Sequence, residues 1–143
     1  MAGAVTPITG QCLCGAVRYT ITGPMRPVIA CHCKQCQRAC GSYFMATNVA
    51  LNDITVDDSE STLSWFRDPD GDWAQRGFCN RCGSNIFWQR DDAGTISITA
   101  GTVDEPHSLR LVGHIFVADK GTYYDIRDDL PQAKQSSGGN VPI

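Results

Sequence analysis

The sequence predicts a mainly β fold in a single domain with little helix. Short stretches that alternate apolar and polar residues recur along the 143-residue chain, as expected of half-buried strands. Glycine, proline, aspartate and asparagine separate these stretches at short intervals and are typical of tight turns. Almost no stretch shows the period of about 3.6 residues that marks an amphipathic helix. Many short strands joined by turns therefore favour a mainly β domain.

The first half of the chain contains its most regular strand pattern at residues 17–22, which a Gly-Pro pair ends. Gly41 is the expected end of one or two helical turns that follow a cysteine-rich segment. Further strands are predicted at residues 43–49, 54–56 and 63–65, separated by turn-forming aspartates and asparagines.

The second half of the chain contains a hairpin pattern. Residues 85–89 and 95–99 are its expected arms, and the turn between them holds two aspartates and a glycine. Two more strands are predicted at residues 109–112 and 114–117. The second half therefore continues the β pattern of the first.

One domain accounts for almost the whole chain, because neither an internal repeat nor a linker divides it. Residues 135–140 are polar and rich in glycine and serine, a composition expected to be disordered. We therefore place the domain at residues 8–131 and a flexible tail at residues 132–143.

Composition excludes several classes of function. The net charge of -3 and the pI of about 5.4 argue against a nucleic-acid partner. No apolar run approaches the length of a membrane span, and the first residues lack the features of a secretory signal. We therefore expect a cytoplasmic protein without a membrane partner. In a reducing cytosol the eight cysteines are better explained by metal binding than by the alternative, a disulfide framework.

Two cysteine pairs have the spacing of a structural zinc site. Cys12-x-Cys14 and Cys79-x-x-Cys82 each offer two thiolates next to a glycine. A structural zinc ion takes four such ligands in a tetrahedron. The two pairs together therefore predict one closed site that joins distant parts of the chain.

A second group of thiols is denser than a hydrophobic core requires. Cys31, Cys33 and Cys36 lie within six residues, and soft thiolate ligands favour zinc. If the segment after Cys36 is helical, Cys40 lies one turn further on the same face and could close the site as a fourth ligand. If Cys40 instead packs as a small apolar residue, the metal keeps an open position for a substrate.

The three histidines are weaker candidates for metal ligands. His32 alternates with its two cysteine neighbours and is expected to point away from the metal. His114 is expected to be a hydrogen-bonded structural residue, and His107 a surface-loop residue.

Several motifs resemble the glutathione-dependent formaldehyde-activating enzyme (GFA) family, also called the centromere protein V/GFA domain family. The resemblance covers roughly residues 8–131 and includes both cysteine pairs and the cysteine triplet in the family's order. The matching stretches are Gly10-x-Cys12-x-Cys14-Gly15-Ala16-Val17, Cys31-His32-Cys33-x-x-Cys36-Gln37-Arg38, Arg76-x-Phe78-Cys79-x-x-Cys82-Gly83-Ser84, Gly101-Thr102-Val103-Asp104-x-Pro106, His114-Ile115-Phe116-Val117-x-x-Lys120 and Ile126-x-Asp128-x-Leu130-Pro131.

The resemblance implies zinc-stapled antiparallel sheets in the β-tent arrangement and two zinc ions per chain. It implies a structural zinc on the four paired cysteines, and a catalytic zinc on Cys31, Cys33 and Cys36 with solvent or substrate as fourth ligand. It also implies a carbon–sulfur lyase that acts on S-hydroxymethylglutathione, the adduct of formaldehyde and glutathione. Cys40 departs from the pattern, because members usually carry a non-thiol residue there.

Two other functions are compatible with the same residues. A zinc-stapled binding module without catalysis would use the same cysteines, since a fold does not determine a function. A lyase for a different thiol adduct would use the same metal. In a lyase for S-hydroxymethylglutathione or for another thiol adduct, Arg38 or Lys34 could contact a substrate carboxylate. The sequence does not identify the proton-transfer group or the oligomeric state.

Overall fold

The computed structural model describes residues 6–69, 71, 73–136 and 141. Within these residues the chain forms ten strands and one α-helix, in agreement with the predicted mainly β class. The elements are β1 (Ile8–Gln11), β2 (Arg18–Ile21), β3 (Val28–Cys31), α1 (Lys34–Cys40), β4 (Phe44–Ala50), β5 (Ile54–Asp57), β6 (Leu63–Arg67), β7 (Ala74–Cys79), β8 (Asn85–Arg90), β9 (Thr95–Thr99) and β10 (Leu111–Ile115). Short 3-10 turns lie at Leu51–Asp53, Ala100–Thr102 and Val117–Asp119.

The strands form two sheets. The smaller sheet has the order β1-β2-β5, and the larger one the order β10-β3-β4-β9-β8-β7-β6. Neighbouring strands are antiparallel with one exception, the parallel pair of β10 and β3. This pair places the end of β3, where the cysteine triplet begins, beside a strand that is about 80 residues away in sequence.

The two sheets share one hydrophobic core. Tyr19 and Ile21 of β2 belong to the same buried cluster as Ile86, Phe87 and Ile98 of the larger sheet. The rings of Tyr19 and Phe87 are 5.7 Å apart and tilted by 59°, a favourable aromatic arrangement. The alternation predicted for residues 17–22 is confirmed, because the alternate residues of β2 are buried and Arg18 is exposed.

Helix α1 begins and ends as the sequence predicts. The Sγ of Cys33 caps its first turn by accepting a hydrogen bond from the backbone N–H of Cys36. Gly41 ends it with a left-handed φ of 90°, and its N–H donates to the carbonyl of Gln37 at 2.8 Å. Glycine adopts this conformation without the steric cost that a Cβ atom would bring.

Two parts of the predicted strand pattern need correction. The strands expected at residues 109–112 and 114–117 are one strand, β10, which stops before Phe116 because that residue has a left-handed φ of 55°. Strands β1, β3 and β7 were not predicted. β7 combines an arginine, a glycine and a cysteine with few apolar residues, so its pattern carries little strand signal.

The described part of the C-terminal segment lies against β10. The backbone of His114 accepts a hydrogen bond from Ala133 at 2.8 Å, and Val117 donates to the carbonyl of Ala133 at 3.1 Å. The disorder predicted for residues 135–140 falls mostly on residues 137–140, which lie outside the described residues. The division between a domain at 8–131 and a tail at 132–143 stays a prediction.

None of the helices in the described ranges is long and apolar enough to cross a membrane.

Candidate metal centres

The four paired cysteines meet at one point between the two sheets. The Sγ atoms of Cys12, Cys14, Cys79 and Cys82 all lie within 4.8 Å of one another. The distance from Cys12 to Cys14 is 3.7 Å, and that from Cys14 to Cys79 is 3.8 Å. A tetrahedral zinc with Zn–S bonds of about 2.3 Å has sulfur–sulfur edges of about 3.8 Å. The quartet therefore has the geometry of a closed zinc site.

Two similar turns present this quartet. One joins β1 to β2 in the smaller sheet, and the other joins β7 to β8 in the larger sheet. Gly15 and Gly83, one residue after each pair, have φ values of 80° and 79°, a conformation that glycine adopts readily. The backbone N–H of Leu13 donates to Ser84 Oγ at 2.9 Å and connects the turns directly. A metal ion held here would join the two sheets.

The cysteine triplet forms a separate cluster. The Sγ atoms of Cys31, Cys33 and Cys36 lie within 4.8 Å of one another. Cys31 ends β3, Cys33 caps α1 and Cys36 lies in the first turn of α1. The backbone N–H of Cys36 lies 3.3 Å from Cys33 Sγ. Hydrogen bonds from Cys31 and Cys36 lower the pKa of the Cys33 thiol well below its usual range. The pKa values of Cys31 and Cys36 are raised, so Cys33 carries the negative charge of this cluster, and a bound metal ion would be needed to hold all three sulfurs as thiolates.

Cys40 is not part of this three-sulfur group. Its Sγ accepts a hydrogen bond from Asn85 Nδ2 at 3.1 Å, and its side chain packs against the cluster of Cys36, Phe44 and Ala46. Burial raises the pKa of the Cys40 thiol, so burial disfavours its thiolate form. The structure therefore offers three clustered sulfurs, the number that leaves a coordination position open in catalytic zinc sites. All eight cysteines are free thiols.

Arg76 of β7 lies directly beside the triplet. Its Nη2 is 3.5 Å from Cys36 Sγ, and its guanidinium carbon is 5.7 Å from the centre of the Phe44 ring. Its Nη1 is buried without a hydrogen-bond partner among the described residues. The positive charge favours the thiolate form of the neighbouring cysteines. This contact was missed in the sequence, where only the place of Arg76 two residues before Phe78-Cys79 could have indicated it.

A pocket of about 310 Å³ opens beside Arg76. One wall is the face of α1 that carries Gln35 and Arg38, and the other comes from β6, β7, β8 and the segment between β6 and β7. Its aromatic lining consists of Phe66, Trp73 and Trp88. Arg38, expected as a possible carboxylate contact, lies in this lining. Lys34 instead reaches Gln37 Oε1 at 3.4 Å.

A chain of hydrogen bonds fixes the residue between two of the triplet cysteines. The Nδ1 of His32 is 2.8 Å from the hydroxyl of Tyr124, and its Nε2 is 2.9 Å from Nδ1 of His114. The Nε2 of His114 is in turn 3.0 Å from a carboxylate oxygen of Asp128. One proton arrangement satisfies every group: Tyr124 donates to His32, His32 to His114, and His114 to Asp128.

The network agrees with the expectations for His32 and His114, because both rings are hydrogen-bonded rather than clustered with the thiols. His32 is only 1% exposed, and burial lowers its pKa to about 4, so the ring is neutral at pH 7. Since neighbouring side chains of an extended segment point in opposite directions, a fixed His32 holds Cys31 and Cys33 on the opposite side.

His107 lies in a loop, as expected, but most of its side chain is covered. Its side chain is only 15% exposed. It is held in its loop by a hydrogen bond from the backbone N–H of Leu109 to Nδ1 at 3.2 Å and by Glu105 at 3.4 Å from Nε2. It is therefore a largely covered loop residue.

Comparison with known proteins agrees with these features. A Halomonas elongata protein, provisionally named a glutathione-dependent formaldehyde-activating enzyme, is 31% identical over 85 residues, which are 56% of this chain and 54% of that protein. The chain thus spans about half the length of this relative. A Schizosaccharomyces pombe protein described as an uncharacterized lyase is 28% identical over 117 residues, 81% of this chain and 82% of that protein.

A solved structure shows the same fold. A Rhodobacter sphaeroides protein has a TM-score of 0.58 and 20% sequence identity, and the match covers 73% of this chain and 99% of that one. At this identity the likeness concerns the fold alone. The family model described as "Glutathione-dependent formaldehyde-activating enzyme" matches residues 7–119, which include both cysteine clusters. The chain therefore belongs to the glutathione-dependent formaldehyde-activating enzyme family.

Proposed function

We propose that the protein is a zinc-dependent carbon–sulfur lyase that acts on a glutathione adduct such as S-hydroxymethylglutathione. In the cleavage direction the C–S bond breaks, a carbonyl forms at the hydroxymethyl carbon, and the hydroxyl proton is transferred to the sulfur. The products are formaldehyde and glutathione. The reaction needs no oxidant or reductant, and the same residues serve the reverse addition.

One observation carries this proposal: the chain holds three clustered thiols apart from a complete quartet. We assign a structural zinc to Cys12, Cys14, Cys79 and Cys82, and a catalytic zinc to Cys31, Cys33 and Cys36. A zinc ion with an open position, when bound, supplies a Lewis acid that polarises an aldehyde oxygen or favours a thiolate. The names of the two relatives, one a formaldehyde-activating enzyme and one a lyase, support the same assignment.

The surrounding residues orient the triplet. The N–H of Cys36 and the guanidinium of Arg76 each contact a sulfur and so favour its anionic form. The buried hydrogen bonds of His32 keep the triplet segment in one conformation, which reduces the reorganisation needed when substrate binds. Eight free thiols suit a reducing compartment, so we place the protein in the cytoplasm.

The direct test is the substitution Cys36→Ser. It removes one ligand of the proposed catalytic site while leaving the quartet intact. We expect the zinc content to fall from two ions to one and the circular dichroism spectrum to stay unchanged. Turnover of S-hydroxymethylglutathione should fall at least about 100-fold, a loss of the size found when metal sites are disturbed. Metal analysis and a formaldehyde-release assay measure the first two quantities.

Cys40→Ser is the matched control, since it removes a nearby thiol outside the three-sulfur group. It should keep two zinc ions and nearly full turnover. Full activity of Cys36→Ser would disprove the catalytic assignment. Two equally inert zinc ions in a protein that turns over no thiol adduct would instead favour a zinc-stapled binding module.

A further inference from the structure

The pocket beside Arg76 has the position of a substrate subsite. It lies between one face of α1 and the surface of β7 and β8, and its volume of about 310 Å³ is at the lower end of the range for small-molecule sites. Arg76 belongs both to its lining and to the surroundings of Cys36 Sγ. A ligand in this pocket would therefore extend away from the thiol triplet.

The donors of Arg76 are only partly used. One nitrogen faces Cys36 Sγ at 3.5 Å, and the other is buried without a partner in the described ranges. Buried polar groups are nearly always paired, and a buried guanidinium donor is costly to leave unpaired. Because protein atoms cover Nη1, a ligand carboxylate in the pocket would interact with the charge of the guanidinium group rather than bond to this nitrogen.

The rest of the lining indicates the chemical class of that ligand. Arg38 is exposed on α1 and brings a second guanidinium to the pocket. Asp68 supplies one carboxylate, which accepts a hydrogen bond from Gln35 at 3.0 Å. The rings of Trp73 and Trp88 lie edge to face 5.6 Å apart and offer apolar surface. Two cations, one anion and an apolar wall suit a peptide-like molecule with more carboxylates than ammonium groups.

We propose that this pocket binds the carboxylate-bearing body of the thiol substrate through Arg38 and Arg76, and so selects anionic peptide thiols over uncharged thiols. The choice of a glutathione adduct as the test ligand rests on the proposed function. Glutathione carries two carboxylates and one ammonium group, so its charge complements the pocket. Arg38 here is a specificity-determining residue and takes no part in bond breaking.

Binding can be measured without any reaction. S-methylglutathione carries a thioether and therefore cannot form or release the formaldehyde adduct. Its binding to the zinc-loaded protein is followed by calorimetry and by the fluorescence of Trp73 and Trp88. We expect Arg38→Ala to weaken binding about 5- to 10-fold, the loss expected for one partly exposed charge-assisted hydrogen bond. Arg38 is exposed on a helix, where alanine is well tolerated, so the variant should fold.

Arg127→Ala is the matched control, since Arg127 is 86% exposed and pairs only with Asp125 among the described residues. It should bind S-methylglutathione as the unmodified protein does. The diethyl ester of S-methylglutathione, which lacks both carboxylates, should bind to the unmodified protein at least about tenfold more weakly than the acid does. Its affinity should be the same for Arg38→Ala and Arg127→Ala. Equal binding of acid and ester, or equal effects of the two substitutions, would overturn the subsite.

Kinetics separate this inference from the lyase assignment. Arg38→Ala should raise KM for S-hydroxymethylglutathione and leave kcat within about twofold, the pattern of lost uniform binding. For the formaldehyde adduct of N-acetylcysteamine, which has no carboxylate, Arg38→Ala should change neither KM nor kcat. Turnover that is indifferent to Arg38 refutes the subsite but not the lyase. Charge-selective binding in a protein without turnover supports the subsite and refutes the lyase.

Discussion

Cys14→Ser is the sharpest test of the structural role of the quartet. Cys14 is an exposed member of that quartet, so serine at this position brings little burial cost of its own. Binding of a structural zinc is worth roughly 10–16 kcal/mol in small zinc peptides, and it counts as folding free energy. Loss of one ligand in four should remove roughly a quarter to a half of this, or about 3–8 kcal/mol. The whole stability of a domain is typically only about 5–15 kcal/mol.

The measurement is thermal and urea unfolding followed by circular dichroism. For a domain of this size, 1 kcal/mol shifts Tm by about 3–5 °C, so we expect Tm to fall by at least about 10 °C. Leu13→Ser is the matched control, because Leu13 lies in the same turn, is 84% exposed and contributes no ligand. Its effect should stay within about 0.5 kcal/mol. A Cys14→Ser protein that unfolds at nearly the same temperature as Leu13→Ser would refute the structural role of this site.

Two further predictions concern the core and the histidine network. Phe87→Ala should cost about 3–5 kcal/mol in urea unfolding, because Phe87 is fully buried between Tyr19 and Trp65; a loss below about 1 kcal/mol would contradict its central place. Burial lowers the pKa of His32 to about 4, against about 6.5 in the unfolded chain. The contribution of the neutral ring to the free energy of unfolding is therefore complete above pH 6.5 and is lost as the pH falls towards 4. From pH 7.5 to pH 5.5 this group should lower the free energy of unfolding by about 1.4 kcal/mol. In urea unfolding of His32→Gln, the decrease over the same pH range should be smaller by that amount; an equal decrease in both proteins would contradict the assignment.

Local features of the site were predictable from the sequence. Chelating thiols must lie close together, so the spacings of Cys12 with Cys14 and of Cys79 with Cys82 are visible without any knowledge of the fold. The same holds for Gly41, because a helix end depends on the backbone conformation of one residue. In both cases the interacting groups are at most a few residues apart.

Features that depend on contacts between distant parts of the chain could not be predicted in this way. Arg76 reaches Cys36 across 40 residues, and Tyr124 reaches His32 across 92. Neither contact leaves a local period in the sequence, because each joins a residue outside the strands, Cys36 in α1 and Tyr124 after β10, to a distant part of the chain. The parallel pairing of β10 with β3 has the same origin. Hydrophobic alternation indicates that a strand exists but not which strand lies beside it.

Chain connectivity explains why the two cysteine clusters should differ in their effect on stability. The quartet joins Cys14 to Cys79 across 65 residues, whereas the triplet lies within six residues, from Cys31 to Cys36. The entropy lost on closing a loop grows with its length, so a metal clip removes most freedom from the unfolded chain when its ligands are far apart. A zinc ion on the triplet closes only a short loop, and the hydrogen bonds of His32 already hold that segment. Reversible loss or exchange of a ligand at the triplet is therefore compatible with an intact fold, which is what a site with a changing coordination position requires.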